Sequence, residues 1–391
     1  MKYTSAGESH GPALVVIVSD VPAGFALSRA QINGELARRQ KGYGRGGRMD
    51  IERDQAEILS GVRFGKTLGS PIALKIANRD WENWTDRMAQ EGPAPYDLTL
   101  EQSPRPGHAD LVGSLKIATQ DCRDVLERAS ARETAARVTA GAVARAWLAN
   151  FGVEVASYVT RIGSAELPAA EIQRKNAVFS AGKVENSPVR CPHAETSERM
   201  VAAIDEARAN GESLGGYFAV TATGLVPGVG GYAQAAERLD GRIGGALLSI
   251  PAIKGIEFGL GFAAGALTGS QVHDPIIYAD EAGAFGRIRR ASNNAGGLEG
   301  GMTTGEPLVI RAVMKPIPTM TKPIMTIDLA TKKPVEASKE RSDVCAVPAA
   351  AVVAEAELGL VLADAYMDKF GHDTLVDALQ SFKNYALRIS L

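Results

Sequence analysis

Ser130-Ala-Arg-Glu-Thr-Ala-Ala-Arg-Val-Thr-Ala-Gly-Ala-Val-Ala-Arg-Ala-Trp-Leu-Ala149 is the most plainly helical stretch of the chain. Ser130 and Glu133 stand at capping-box spacing, and Ala135, Val138, Ala142 and Ala146 recur every three or four residues. The stripe is made of small residues, which predicts a helix packed closely among others. Gly152 ends it, and 154–162 reads as a strand. Upstream, residues 78–110 are dense in Pro, Trp, Asp and Gly and read as a long irregular loop, a feature usually tied to function. Before that loop, 13–18, 51–62 and 70–76 read as strands, the first a continuous apolar run expected to be buried. A helix capped by Ser28 and Gln31 and ended by Gly42 falls among them. Downstream, helices are expected at 197–210, 236–249 and from Pro348 to about 368, and strands at 217–223, 254–258 and 309–314. Residues 293–305 form a second glycine-rich loop. Helices and strands mix throughout with no clean linker, so the expectation is α+β, a single large domain over 1–391.

Composition narrows the class. Of 391 residues, 45% are hydrophobic and 23% charged, the balance of a globular chain. A net charge of -2 gives the chain as a whole no electrostatic reason to seek nucleic acid or an anionic membrane, so any basic site must be local. Cys122, Cys191 and Cys345 offer neither a disulfide framework nor a C-x-x-C metal or redox pair, and no metal site is expected. No apolar run of signal-peptide length precedes Glu8, and the apolar tracts near 13–18 and 349–353 are too short to span a bilayer. A cytoplasmic protein is expected.

Four motifs invite a reading they do not sustain. Gly7-Glu-Ser-His-Gly11 matches the nucleophile elbow of serine hydrolases, but that elbow needs a strand before it and a helix after it. Here Pro12 and a β-branched run follow. Gly61-Val-Arg-Phe-Gly-Lys-Thr67 is one residue short of a phosphate-binding P-loop. Gly259-Leu-Gly-Phe-Ala-Ala264 partly matches a dinucleotide fingerprint, yet Gly265, Gly269 and Pro275 leave no room for the helix it requires. Gly42-Tyr-Gly-Arg-Gly-Gly-Arg48 looks like the RGG segments of RNA-binding proteins, which are long and repetitive where this is a single copy. A nucleic-acid-binding protein stays open as the second class, and a salt-dependent gel shift would discriminate it.

What remains is a local excess of cations. Between residues 28 and 53 stand Arg29, Arg38, Arg39, Lys41, Arg45, Arg48 and Arg53 against Glu35, Asp50 and Glu52. Arg29 and Arg53 read as solvated surface. Arg39, Arg45 and Arg48 flank a glycine-rich turn that lets a ligand approach the backbone, and arginine suits bidentate contact with carboxylate and phosphate. Of five histidines, His10 and His108 sit in polar, glycine-bearing contexts, the second in Arg105-Pro-Gly-His-Ala-Asp110, while His193, His273 and His372 read as structural. The composition of this segment points to a small anion as ligand.

Those motifs together carry a resemblance. Gly7-Glu-Ser-His-Gly11, then Arg39 with Gly42-Tyr-Gly-Arg45-x-x-Arg48, then Arg105-Pro-Gly-His-Ala-Asp110 resemble the chorismate synthase family. So do Ser130-Ala-Arg-Glu-Thr-Ala-x-Arg137-Val-x-Ala-Gly-Ala142, Asn294-Ala-Gly-Gly-Leu-Glu-Gly-Gly-Met302, Lys315-Pro316 and Arg341-Ser-Asp343. The match runs in order from residue 7 to beyond 348. One departure is visible, since many members have Asp-Pro-Cys where this chain has Asp343-Val344-Cys345.

The resemblance implies 1,4-anti elimination of phosphate and a ring hydrogen from 5-enolpyruvylshikimate 3-phosphate to give chorismate, with reduced FMN required and no net redox change. It implies a layered β-α-β sandwich with central helices and a homotetramer, with NADPH as flavin reductant in some members and an external reductase in others. By motif position, Arg39, Arg45, Arg48, Arg105 and Arg132 would hold the substrate's anionic groups. His108 would be a proton donor at the phosphate, His10 would protonate or polarise the reduced flavin, and Asp343 would help a flavin nitrogen accept the ring proton. FMN would contact Arg128, Ala129, Ser130, Pro251, Ala252, Gly300, Lys315, Pro316, Ile317, Pro318, Thr319 and Arg341. The chemistry agrees with the cations, because a substrate with two carboxylates and a phosphate needs fixed positive charge in a water-poor pocket.

Overall fold

In the computed structural model, which describes residues 1–46, 53–172, 178–179, 181–338 and 343–390, the first strand reading becomes Ala13–Ser19. It lies between Lys2–Ala6 and Ile72–Ala77, with Ala56–Ile58 beyond, and every pairing is antiparallel. Leu14, Val16 and Val18 are fully covered while Val15 and Ile17 are exposed. The unbroken apolar run had predicted a buried strand, but in this antiparallel sheet only the face turned to the helices is covered. The predicted 51–62 strand is divided. Ala56–Ile58 and Val62–Arg63 are separate strands, and 51–52 fall outside the described residues. The break is at Gly61, whose φ of 81° and closeness to Pro71 and Ile72, 2.7 Å from an added Cβ, leave no room for a side chain.

The second sheet runs Ile253–Phe258, Leu308–Met314, Gly216–Thr223, Glu154–Ile162, Ala165–Glu166, again antiparallel. Val220 lies opposite Ile310 on one side and Ser157 on the other. Between the sheets lie the helices Thr134–Ala149 and Val347–Phe370. The longer one packs on the second sheet, and the shorter packs on it and on Ala13–Ser19 of the first. The small-residue stripe has its explanation at this crossing. A Cβ added to Gly141 would stand 2.3 Å from the Cβ of Ala356, so the two backbones are as close as they can come. Trp147, Tyr366 and Phe370, all buried, gather around Phe151 toward the C-terminal ends of the two helices. The result is the expected α+β sandwich with a helical layer inside.

Ser28 and Gln31 do form a capping box at the start of Arg29–Gln40. Ser130 does not form one with Glu133. It caps a short 3-10 turn, Ala131–Glu133, accepting from the Arg132 N–H, while Glu133 pairs with Arg137 one turn further on, 3.0 Å away. The helices Asp110–Ile117, Arg123–Ala129 and Leu375–Ile389 and the hairpin of Ile276–Gly283 with Gly286–Arg290 were not anticipated. Among the described residues no helix is long and apolar enough to cross a membrane.

Candidate active site

The turn from Gly7 to Gly11 joins the first two strands, and Gly7, at φ 111°, has no room for a side chain because a Cβ would lie 2.3 Å from the Ala13 carbonyl. Helix Arg123–Ala129 clamps this turn from below. Arg128 donates to the Ser5 and Gly7 carbonyls at 2.9 and 3.1 Å, the Ser9 N–H donates to the Glu127 carbonyl at 2.9 Å, and the Ser130 hydroxyl lies 3.3 Å from that of Ser9. Ser9 is buried and a strand follows it, so the hydrolase elbow is not built here. His10 is held three ways. Its backbone N–H donates to Glu127 Oε2 at 2.7 Å, its Nδ1 lies 2.8 Å from Glu127 Oε1, and its ring stacks on Trp84 at 3.8 Å. Arg123 contacts the same carboxylate at 2.9 Å and lies over Trp84. Burial by itself would push the Glu127 carboxyl up, but His10 and Arg123 overcome it and hold it below the usual carboxylate range.

Arg39 emerges from the last turn of Arg29–Gln40 into a fully buried position. Asp54 stands between it and Arg132, 2.8 Å from Arg39 Nη2 on one oxygen and bonded to Arg132 Nη1 on the other. Arg39 Nη1 also donates to Thr134 Oγ1 at 3.2 Å, and its Nε makes no hydrogen bond among the described residues. Burial first, then the neighbouring Arg45 and Arg132, hold the Arg39 guanidinium below its ordinary range against the pull of Asp54. Arg45 reaches Asp343 at 3.1 Å, and the Gly46 N–H donates to the same carboxylate at 2.8 Å, so the late aspartate and the early arginine form one unit. Val344, where many family members have proline, donates its N–H to the Gly44 carbonyl at 2.8 Å, a bond proline cannot make. Arg38 turns away to Glu355, while Arg29 and Arg53 are exposed as expected. Arg48 and Arg341 lie outside the described residues.

A third unit gathers around His108. Asp110, wholly buried, accepts from Arg105 Nε at 2.7 Å, from the Arg105 N–H at 3.1 Å and from His108 Nδ1. Despite burial, those bonds hold its carboxyl well below the usual range. Arg105 Nη1 donates to Thr319 Oγ1 at 3.0 Å, and Lys315 Nζ donates to the Gly107 carbonyl, so the His108 loop is docked on the 315–319 segment. That segment is anchored in turn. The Lys315 N–H donates to the Ala252 carbonyl at 3.0 Å, next to Pro251, and Ser213 Oγ donates to the Ile317 carbonyl at 2.6 Å. Pro318 lines the approach to Gly107. Burial, then the like charge of Lys254, lower the proton affinity of Lys315. Gly300 lies in the turn between Leu298–Glu299 and Met302–Thr303. Glu127, Asp54 and Trp84 were missed as site residues. Their only sequence signals were an ordinary i,i+4 pair with Arg123, one more acid in a charged run, and tryptophans in a polar loop. Asp110 falls within the Arg105–Asp110 motif, where sequence alone marks only the arginine and the histidine.

Comparison with known proteins supplies the identity. The profile of the chorismate synthase family matches residues 1–367. The chain belongs to the chorismate synthase family. It is 53% identical to the chorismate synthase of Moorella thermoacetica over the full length of both chains. It is 50% identical to that of Aquifex aeolicus, covering 98% of this chain and 97% of the relative, and 50% identical to that of Bacillus subtilis, covering 98% of each. A crystal structure of chorismate synthase superposes with a TM-score of 0.79 at 42% identity, over 100% of this chain and 98% of that one. The activity is that of the chorismate synthase family, a carbon–oxygen lyase that eliminates phosphate from 5-enolpyruvylshikimate 3-phosphate in the last step of the shikimate pathway.

Proposed function

We propose that the elimination takes place between the three units just described, with reduced FMN bound beside the substrate. Arg39 carries this reading. Its guanidinium is wholly buried, and its Nε makes no hydrogen bond among the described residues, so an anionic ligand supplies the acceptor it calls for. Arg39, Arg45, Arg105 and Arg132, with Arg48, bind and orient the substrate's carboxylates and phosphate. Positive charge fixed in advance also stabilises the charge that builds on the leaving phosphate, where loss of one contact typically costs about 2–4 kcal/mol. His108, set on Asp110 beside Arg105, donates a proton at the phosphate oxygen. Asp343, fixed by Arg45 and the Gly46 N–H, handles the ring proton at its carboxylate.

The donor set also fits a flavin phosphate and ring. Lys315, with the like charge of Lys254 nearby, offers positive charge to a phosphate, and it stands on the same segment as Pro316, Ile317, Pro318 and Thr319. Arg128, Ala129, Ser130, Pro251, Ala252, Gly300 and Arg341 complete the proposed contacts, with His10 turned toward the flavin. When bound, reduced FMN supplies the electron-rich partner that assists C–O cleavage. NADPH is one source of its electrons and an external reductase the other. A homotetramer is supported by the apolar side chains exposed along one hairpin, Ile276, Ile277, Tyr278 and Ile288, and a cytoplasmic setting by three buried cysteines that form no disulfide. Anaerobic incubation with the enolpyruvyl substrate and chemically reduced FMN should release phosphate and form chorismate. A protein that does neither under those conditions overturns the reading.

A further inference from the structure

We propose that Glu127 is a positioning residue that holds the neutral His10 ring with its proton on Nδ1, making Nε2 the nitrogen through which His10 exchanges a proton with its ligand. The inference rests on the reading that His10 acts in the reaction.

Both oxygens of Glu127 are committed. Oε2 accepts from the His10 backbone N–H at 2.7 Å, and Oε1 faces His10 Nδ1 at 2.8 Å and Arg123 Nη1 at 2.9 Å. Its side chain is 1% exposed, so water cannot substitute for these partners. An ionised carboxylate only accepts hydrogen bonds, and a neutral imidazole has a single N–H. Opposite Glu127 that proton must sit on Nδ1, which is the reverse of the tautomer an imidazole side chain prefers in water. The lone pair is then on Nε2. Against burial, the hydrogen bonds from His10 and then the nearby Arg123 keep the carboxylate ionised, and burial makes the ring-to-carboxylate bond stronger than it would be in water. The ring cannot escape the arrangement by flipping, because Trp84 is stacked on it at 3.8 Å with 25° between the planes, and a flip would set a carbon against Oε1. The main chain is pinned as well, through the Ser9 N–H on the Glu127 carbonyl and Asn78 Nδ2 on the Ser9 and Gly11 carbonyls at 2.9 and 2.8 Å. One side chain therefore sets the tautomer, the ring plane and the place of the turn in the site.

A purely structural anchor would need none of this selectivity for one nitrogen, and that difference is what an experiment can read. With 15N-labelled histidine and the His10 signal assigned by its loss in His10→Asn, wild-type spectra taken above the histidine titration should show the proton on Nδ1. In Glu127→Gln the amide oxygen can serve the His10 backbone N–H or its ring but not both, so the Nδ1–H share should fall. Turnover of that variant should drop on the order of 10²-fold in kcat with little change in KM for the phosphorylated substrate. A wild-type ring protonated on Nε2 overturns the proposal without recourse to any variant, and so does a Glu127→Gln enzyme that turns over like wild type. Wild-type protein with Nδ1–H in place but no lyase activity with reduced FMN would instead strike the functional reading and leave the positioning of the ring standing.

Discussion

At the scale of the single residue the arginine site turns on Asp54. Two guanidiniums that are each 4% exposed at the side chain share its carboxylate, and Arg45 adds a third positive charge nearby. Burial would raise the Asp54 carboxyl, but Arg39 and then Arg132 hold it below its usual range, so it is ionised at neutral pH. Asparagine in its place keeps the shape and removes the charge. Breaking a buried pair in this way usually costs about 3–5 kcal/mol, since the cations stay behind uncompensated. Asp54→Asn should therefore lower Tm and raise KM for the substrate. It should also regain part of its stability in sulfate, more than wild type does, because a bound anion would replace the missing charge. Thermal denaturation in sulfate and in chloride at matched ionic strength checks this. Equal responses of the two proteins would mean that the arginines are not short of an anion. The cluster of arginines was legible, because glycine-flanked arginines stand out in an otherwise neutral chain. Asp54 was not, since a lone acid in a charged run carries no mark of burial, and only the fold brings Arg132 to it from 78 residues away.

At the scale of the element, the crossing of Thr134–Ala149 and Val347–Phe370 sets where Ser130, Arg132 and Thr134 stand relative to both sheets. Gly141 is the point of closest approach. Replacing it by alanine favours the helix by about 0.5–1 kcal/mol through backbone entropy. The new Cβ would meet the Cβ and Cα of Ala356 at 2.3 and 2.4 Å, and neither atom can rotate away. Overpacking of this kind costs about 1–3 kcal/mol, so the steric effect wins. Gly141→Ala should lower Tm, whereas Gly245→Ala, in the helix Leu239–Leu248 with nothing within 4 Å of its added Cβ, should hold or raise it. A Gly141→Ala protein more stable than wild type would show that helix propensity, not the crossing, governs the site. Period and capping made this helix readable from sequence, and the same signals found Arg29–Gln40. They failed at Ile276–Gly283, where most residues of the strand are exposed and no alternation marks a covered face. They failed again at Asp110–Ile117, which starts inside a motif read for its chemistry.

At the scale of the whole molecule, one buried acid ties the layers together. The sequence shows Glu355, with Glu357, in the apolar first half of Val347–Phe370 but not its partners, because Arg38 is 317 residues away, Arg145 210 and Arg190 165. Arg38 comes from the first helix and Arg145 from the central one, while Arg190 and Ser157 Oγ reach the carboxylate from the side of the second sheet. Burial alone would raise the Glu355 carboxyl, yet Arg145, Arg38 and Arg190 bring it down from 4.5 to about 2. A folded value below the unfolded one means stability that is present above about pH 4.5 and is lost as pH falls toward 2. The span corresponds to a contribution on the order of 3 kcal/mol, and the carboxylate is shared by helices and sheet, so its loss should loosen all three layers at once. Glu355→Gln should be destabilised at pH 7 by about 3 kcal/mol, at the low end for a broken buried pair, because Glu35 and Glu185 still balance part of the charge. It should also lose much of the acid sensitivity of the wild type. Denaturant unfolding of both proteins between pH 7 and roughly pH 3, the window in which the carboxyl begins to take up its proton, measures the two slopes. If the slopes coincide, Glu355 is not the group whose protonation releases the layers, and the acid response comes from other carboxylates held below their usual range, such as Glu185 and Asp54.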